Sequence, residues 1–316
     1  MALPPILENL RIPVIGSPLF IISNPDLVIA QCQSGVVGSF PSLNARSTDI
    51  LEAWLQQIIT ALKDHEGAAP FAVNLIVHKS NNRLEEDLAL CEQYKVPIVI
   101  TSLGANEDVN KRITAYGGIV LHDVINNRFA KKAIEKGATG LIAVAAGAGG
   151  HAGALSPFAL IQEIRSWFDG PLVLSGSIAN GHAVLGAQAM GADLAYIGSA
   201  FIATTEANAD PKYKDALVQY AANDIVYSNL FTGVHGNYLA PSIEAAGLDP
   251  KNLPESDPSQ MNFGSGGDSD SKAWKDIWGC GQGIGAIDSV QPAAELVDQL
   301  ALEYQAAKAR LTKLTA

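Results

Sequence analysis

Two stretches, Lys131–Val144 (KKAIEKGATGLIAV) and Val184–Gly198 (VLGAQAMGADLAYIG), follow the same grammar. In each, a segment with small residues on its packing side stops at a Gly-Ala pair, and an apolar strand begins two residues later. Glycine suits the left-handed residue that ends a helix, and α/β units use connections this short. Gln31–Ser39 (QCQSGVVGS) repeats the helix–Gly–strand order. Working outward from these, short β-branched or apolar runs occur at Pro13–Ile15, Gly35–Gly38, Phe71–Leu75, Pro97–Ile100, Gly118–Leu121, Gly140–Val144, Pro171–Leu174 and Ala192–Ile197. Helical periodicity lies between them, at Asn24–Gln33, Ile50–Asp64, Arg83–Tyr94, Asn106–Tyr116, Asn127–Lys136, Ser156–Trp167 and Gly181–Ala189. Several of the strands are continuous apolar runs, as in a parallel sheet sheathed by helices. Eight successive βα units predict an α/β fold, a closed (β/α)8 TIM barrel. An open doubly wound sheet is the alternative.

After Thr204 the rhythm stops. Asp210–Ala222 reads as helical, Asp224–Pro241 interleaves aromatics with small polar residues, and Leu253–Asp276 reads as a loop or lid. Gln291–Ala309 is an amphipathic helix with Pro292 near its first turn. We therefore expect a barrel from residues 1–207 and 291–316, and a smaller, mostly helical or loop-like insertion at 208–290 that forms a lid.

Composition narrows the class. The 316 residues are 48% hydrophobic but only 17% charged, with 29 glycines, against a charged fraction of roughly 25% in an average soluble domain. Disorder, collagen and coiled coil are excluded, and three scattered cysteines make no disulfide framework. The net charge of −11 argues against a nucleic acid or an anionic membrane as partner. It does not exclude a small anion held by backbone N–H groups. No signal peptide or membrane-length apolar run is visible, so a cytoplasmic protein is expected.

Three segments carry chemistry. Ala145–Gly153 (AAGAGGHAG) follows the sixth strand and contains one polar residue, His151. Barrel active sites collect at that end of the strands. His151 is read as a general base or as a donor to a developing anion. Ser175–Gly181 (SGSIANG) and Gly198–Phe201 (GSAF) follow the seventh and eighth strands. That is where barrels build phosphate sites, and with no Lys or Arg nearby, N–H groups and helix dipoles would hold the anion. Asn74 is either a core amide or a ligand contact, Thr101–Ser102 and His122–Asp123 end the fourth and fifth strands, and His122 could face the same cavity as His151. Metal spacing, a P-loop, GxGxxG and a G-x-S-x-G elbow are absent, so no metal is expected.

With these motifs in place, the chain resembles the nitronate monooxygenase (2-nitropropane dioxygenase) family. The likeness rests on the order and spacing of AGAGGHAG, LSGSIANG and GADLAYIGSAF, and extends over roughly 11–235. It implies an FMN-dependent barrel oxidoreductase with a small apolar nitronate as substrate and O2 as electron acceptor; a homodimer is the assembly considered. His151 matches the active-site histidine, and Asn74 an asparagine beside the flavin. Ala148, Gly149 and Gly150 line the cofactor approach. Ser175, Gly176 and Ser177, with Gly198 and Ser199, match the phosphate turns. Gly16, Ser17, Pro18 and Leu19 match the segment beside the isoalloxazine. His122 and Gln282, the latter in Trp278–Ile287 (WGCGQGIGAI), complete the expected cofactor contacts, while Leu19, Phe201, Tyr227, Phe231 and Tyr238 would shape the pocket. The sequence departs from the family pattern at Leu19 for Met, Ser177 for Gly and Ser199 for Thr. Related barrels include NAD(P)H:quinone and enoyl reductases, so an FMN-dependent reductase is the second enzyme reading. A non-catalytic phosphate-ligand binding protein is the reading from another class.

Overall fold

The computed structural model describes residues 3–256 and 276–315. Most of the segment read as a lid, Leu253–Asp276, therefore lies outside the described residues.

Eight parallel strands form one sheet: β1 (Val14–Gly16), β2 (Gly38–Pro41), β3 (Phe71–Ile76), β4 (Ile98–Ser102), β5 (Ile119–Val124), β6 (Gly140–Val144), β8 (Leu172–Ser175) and β9 (Leu194–Ile197). The order is β1-β9-β8-β6-β5-β4-β3-β2, and a bridge between Ile15 and Val37 joins the two ends. Gly16 N–H donates to Val37 O at 2.8 Å and Val37 N–H to Val14 O at 3.2 Å, which closes the barrel. The open-sheet alternative is thereby excluded.

The seven expected helices all form within two residues of their expected ends. Asn24, Ser47, Asn106, Asn126 and Asn180 start five of them, each side-chain oxygen accepting a first-turn N–H. Gly137 (φ +85°) and Gly191 (φ +113°) stop the two repeated units in the left-handed conformation. The second strand differs from expectation. It runs Gly38–Pro41, not Gly35–Gly38, because Gly35 at φ +89° belongs to the turn and the apolar pair Val36–Val37 leads into the strand.

Strand parity divides the core in two. Ile15, Ala72, Ile100, Leu121, Ile142, Val173 and Leu194 point inward and fill the barrel. Val14, Val73, Val99, Val120, Leu141, Leu172 and Ala195 point outward, under the helices. Leu7, on the N-terminal turn Pro5–Glu8, plugs the bottom. The C-terminal helix Ala293–Thr315 packs on the helix Gly181–Met190, where Gly181 lets the backbone of Leu300 and Tyr304 approach closely. Among the described residues no helix is long and apolar enough to cross a membrane.

Beyond Thr204 the helix Pro211–Gln219 forms as expected, and the helix Ala240–Ala245 follows a hairpin. The aromatic stretch is that hairpin: β10 (Ile225–Ser228) pairs antiparallel with β11 (Gly236–Leu239), and β11 pairs with β7 (Gly150–His151). A three-stranded sheet thus ties this segment to the glycine-rich loop after β6.

Candidate active site

The C-terminal ends of the barrel strands open into a cavity of about 880 Å3, inside the roughly 300–1,000 Å3 of small-molecule and cofactor sites. Ser17, Pro18, Leu19, Asn74, Ala148, Gly149, Gly150, His151, Ser175, Gly176, Ser177, Gly198 and Ser199 all line it. Two expected contacts do not. Gly16 is buried behind the lining, where Gln31 occupies the space a side chain would need. Gln282 is exposed, and only its neighbours Gly281 and Gly283 reach the cavity.

The loop after β1 is positioned by Asn44, which the sequence reading did not single out. Its Oδ1 accepts Ile21 N–H at 2.8 Å, and its Nδ2 donates to Leu19 O at 2.9 Å and Ser23 O at 2.8 Å. These bonds hold Ile21 at φ +57° and set Pro18–Leu19 against the cavity. A buried Asn just beyond a strand end is the signal available for it, and many structural turns share that signal.

The glycine loop is clasped by the inserted segment. Asn237 Nδ2 donates to Ala148 O at 2.6 Å, Tyr227 Oη to Ala152 O at 2.9 Å, and Ala152 N–H to His235 O at 3.1 Å. His151 Nε2 lies 2.9 Å from Thr232 Oγ1, whose hydroxyl also bonds Val234 O at 3.0 Å. Burial pushes the His151 imidazole down to about 4, so it is neutral at pH 7 and able to take up a proton. Of the five residues expected to shape the pocket, Leu19 and Tyr227 line it. Phe201 is fully buried in the core, and Phe231 packs edge-on against Tyr238 in a separate small cluster.

Beyond β8 and β9 the lining is mostly backbone. Gly176 (φ +136°) and Ser177 (φ +57°) form a turn of two consecutive positive-φ residues. Ser199 and Ala200 open a four-residue helix, whose first N–H groups have no intrahelical acceptor. The segment Gly279–Gly281, which runs into a 3-10 helix at Gln282–Ala286, packs over this end. Gly281 N–H donates to Ser199 Oγ at 2.9 Å, Gln282 N–H to Gly147 O at 2.9 Å, and Tyr213 Oη to Gly279 O at 2.6 Å. Tyr213 stacks on Trp278 with ring centroids 5.1 Å apart.

His122 and Asp123 lie side by side on β5 and face opposite ways. His122 shares the helix-facing side with Val120 and Val124. Its Nδ1 lies 2.6 Å from Thr101 Oγ1, and burial pushes the ring down to about 4. It borders the cavity, yet the barrel axis is faced by its neighbour Asp123, on the parity of Leu121. Asp123 and Tyr196 were not among the expected contacts, and both line the cavity. Alternation from Leu121 was the available signal.

The nitronate monooxygenase family model matches residues 82–303, more than two-thirds of the chain. The chain belongs to the nitronate monooxygenase family. It is 27% identical to the nitronate monooxygenase of Paraburkholderia phytofirmans over 93% of this chain and 92% of that protein. In fold it resembles the nitroalkane oxidase of Streptomyces ansochromogenes, at a TM-score of 0.82 and 22% identity, covering 98% of this chain and 100% of that one. FabK of Thermotoga maritima gives a TM-score of 0.79 at 21% identity, covering 98% and 97%. As a nitronate monooxygenase family member, the chain is an FMN-dependent oxidoreductase of this barrel superfamily.

The residues present fit FMN. The backbone turn at Gly176–Ser177 suits a phosphate, and the cavity is large enough for a tricyclic ring. A Cβ on Gly198 would stand 2.7 Å from Ser17 Oγ, so the lining is already at contact there without a side chain. Buried oxygen atoms of Asp123 and Tyr196 await a partner at the same cavity.

Proposed function

We propose that this nitronate monooxygenase family member oxidises alkyl nitronates with O2 to a carbonyl compound and nitrite, with FMN as cofactor. The observation that carries the reading is His151. It is a neutral imidazole on β7, in the glycine-rich stretch that follows β6, bonded to Thr232 and lining the same cavity as the Gly176–Ser177 turn. Bound there, FMN supplies the redox chemistry that no side chain of the chain can perform. Gly176, Ser177, Gly198 and Ser199 would hold its phosphate through backbone N–H groups and the short helix start. Asn74 gives both amide hydrogens to Ile100 O and Ser102 Oγ, each at 3.1 Å, so its Oδ1 is left to accept from a ring N–H.

His151 acts on the substrate. Its Nε2 shares a hydrogen bond with the Thr232 hydroxyl, which also bonds Val234 O, so the neutral ring is held in place as the base. From a neutral nitroalkane it removes the α proton; for a preformed nitronate it orients the anion, and once protonated it would pair with it. Leu19, Ile22 and Tyr227 give the cavity an apolar wall that excludes water.

Anaerobic absorbance titration tests the assignment. Flavin bleaching by a nitronate, and none by NADH or NADPH, is the expected result. Rapid bleaching by either nicotinamide alone overturns it in favour of an FMN-dependent quinone or enoyl reductase. A colourless protein that takes up no FMN points to a phosphate-ligand binding protein.

A further inference from the structure

Two buried oxygen atoms at the barrel mouth, Asp123 Oδ1 and Tyr196 Oη, have no hydrogen-bond partner among the described residues. Asp123 stands on β5 with the inward parity of Leu121, and Tyr196 on β9 with that of Leu194. Strands β6 and β8 separate them in the sheet, so they converge across the barrel mouth. The acid acts electrostatically on the phenol, which sits well above its ordinary range, chiefly through burial.

Arg46, Arg83 and Lys132 also line the cavity, but among the described residues no cation pairs with Asp123, and Arg83 is engaged by Asp87; burial pushes the Asp123 carboxyl up to about 7. On the facing strands Asn74, Ser102 and Ser175 do not titrate, and Val144 is apolar. His122, its neighbour, faces the other way against Thr101, and His151, in the loop above β6, is neutral down to about 4. Buried polar atoms are nearly always satisfied. Where they line a ligand cavity, their partner arrives with the ligand. In their neutral forms both groups present an O–H donor.

Place selects the part of the ligand they meet. With a phosphate held at the turns beyond β8 and β9, the rest of an FMN molecule would have the barrel mouth to occupy, where these inward-facing groups line the cavity.

We propose that Asp123, as the neutral acid, and Tyr196 donate hydrogen bonds to acceptor atoms of the bound flavin, so that FMN binding retains a proton on Asp123. This rests on the FMN assignment above and adds a proton-linked contact to it.

The test is the FMN dissociation constant of the full-length apoprotein, measured by flavin fluorescence from pH 5.5 to 9, for wild type, Asp123→Asn and Tyr196→Phe. Asparagine keeps the shape and a donor but never ionises. The ratio of wild-type to Asp123→Asn dissociation constants cancels the titration of the FMN phosphate itself. It is expected to stay near one at pH 6 and to rise about tenfold per pH unit above pH 7. Tyr196→Phe is expected to weaken binding several-fold at every pH. A ratio independent of pH overturns the inference while leaving the flavin assignment standing. Failure of the wild type to bind FMN at any pH overturns both.

Discussion

The Ser177 hydroxyl occupies the space a side chain at Gly147 would need. Ser177 is itself a non-glycine residue at φ +57°. The serine after β8 and the glycine after β6 therefore form one packed unit, with Gln282 N–H on Gly147 O closing it from a third segment.

Gly147→Ala is expected to destabilise the protein by about 1–3 kcal/mol through overpacking, with a further penalty because Gly147 sits at φ +83°. Ser177→Gly alone is expected to be near neutral, since relief of left-handed strain is offset by glycine's greater unfolded-state entropy. Combining them should recover the packing part and leave the backbone part. Thermal melts of the four proteins, treated as a double-mutant cycle, check this; strict additivity would disprove the coupling.

His151→Ala is expected to retain FMN and lose about 10²–10⁴-fold of turnover on a neutral nitroalkane, with a much smaller loss on the preformed nitronate. Thr232→Val should show the same pattern more weakly, because it removes the partner of Nε2 without removing the base. Steady-state oxygen uptake on both substrate forms distinguishes the two effects. Equal losses on both forms would remove His151 from proton abstraction.

The active form of His151 is the neutral ring, and its value is pushed down to about 4. The acid limb of kcat/KM for neutral nitroalkane should therefore lie near pH 4, well below an ordinary histidine at about 6.5. A pH–rate profile of the FMN-loaded enzyme from pH 4 to 8 reads it directly.

Apoprotein stability should respond to two opposed linkages. His122 and His151 are both pushed down to about 4, so the stability from keeping them neutral is complete above pH 6.5 and is lost as pH falls toward 4. Asp123 is pushed up to about 7, so its contribution is complete at low pH and is lost as pH rises through 7. Asp123→Asn should raise the Tm of the apoprotein above pH 7 and move the stability optimum to higher pH. An unchanged pH dependence of Tm would show that Asp123 is not held neutral.

Ser199→Ala removes the acceptor of Gly281 N–H and is expected to cost about 1 kcal/mol. Because that bond draws the Gly279–Gly283 segment over the turns proposed to hold the phosphate, FMN affinity should fall several-fold as well. Equilibrium denaturation and flavin fluorescence measure the two changes separately.

Much of this was legible in the chain itself. The repeated helix–Gly-Ala–strand unit determined the barrel, since helix ends and strand starts are local chemistry: asparagine caps, glycine stops and β-branched runs. The same local signals single out His151, Asn74 and the turns after β8 and β9, and the structure brings all of them to one cavity. What the sequence leaves open is decided at the level of a single residue. His122 borders the cavity, but alternation puts its ring on the helix-facing side of β5 and leaves Asp123 facing the barrel axis. Composition cannot supply that parity; it follows from the register of β5 between β4 and β6. Gln282 lies outside the cavity lining, and it meets the glycine loop at Gly147, through its N–H and its side chain. The clasp of Thr232, Tyr227 and Asn237 on the glycine loop joins residues about 80 positions apart. No spacing in the sequence announces such contacts, because only closure of the barrel and docking of the hairpin bring those segments within hydrogen-bond reach.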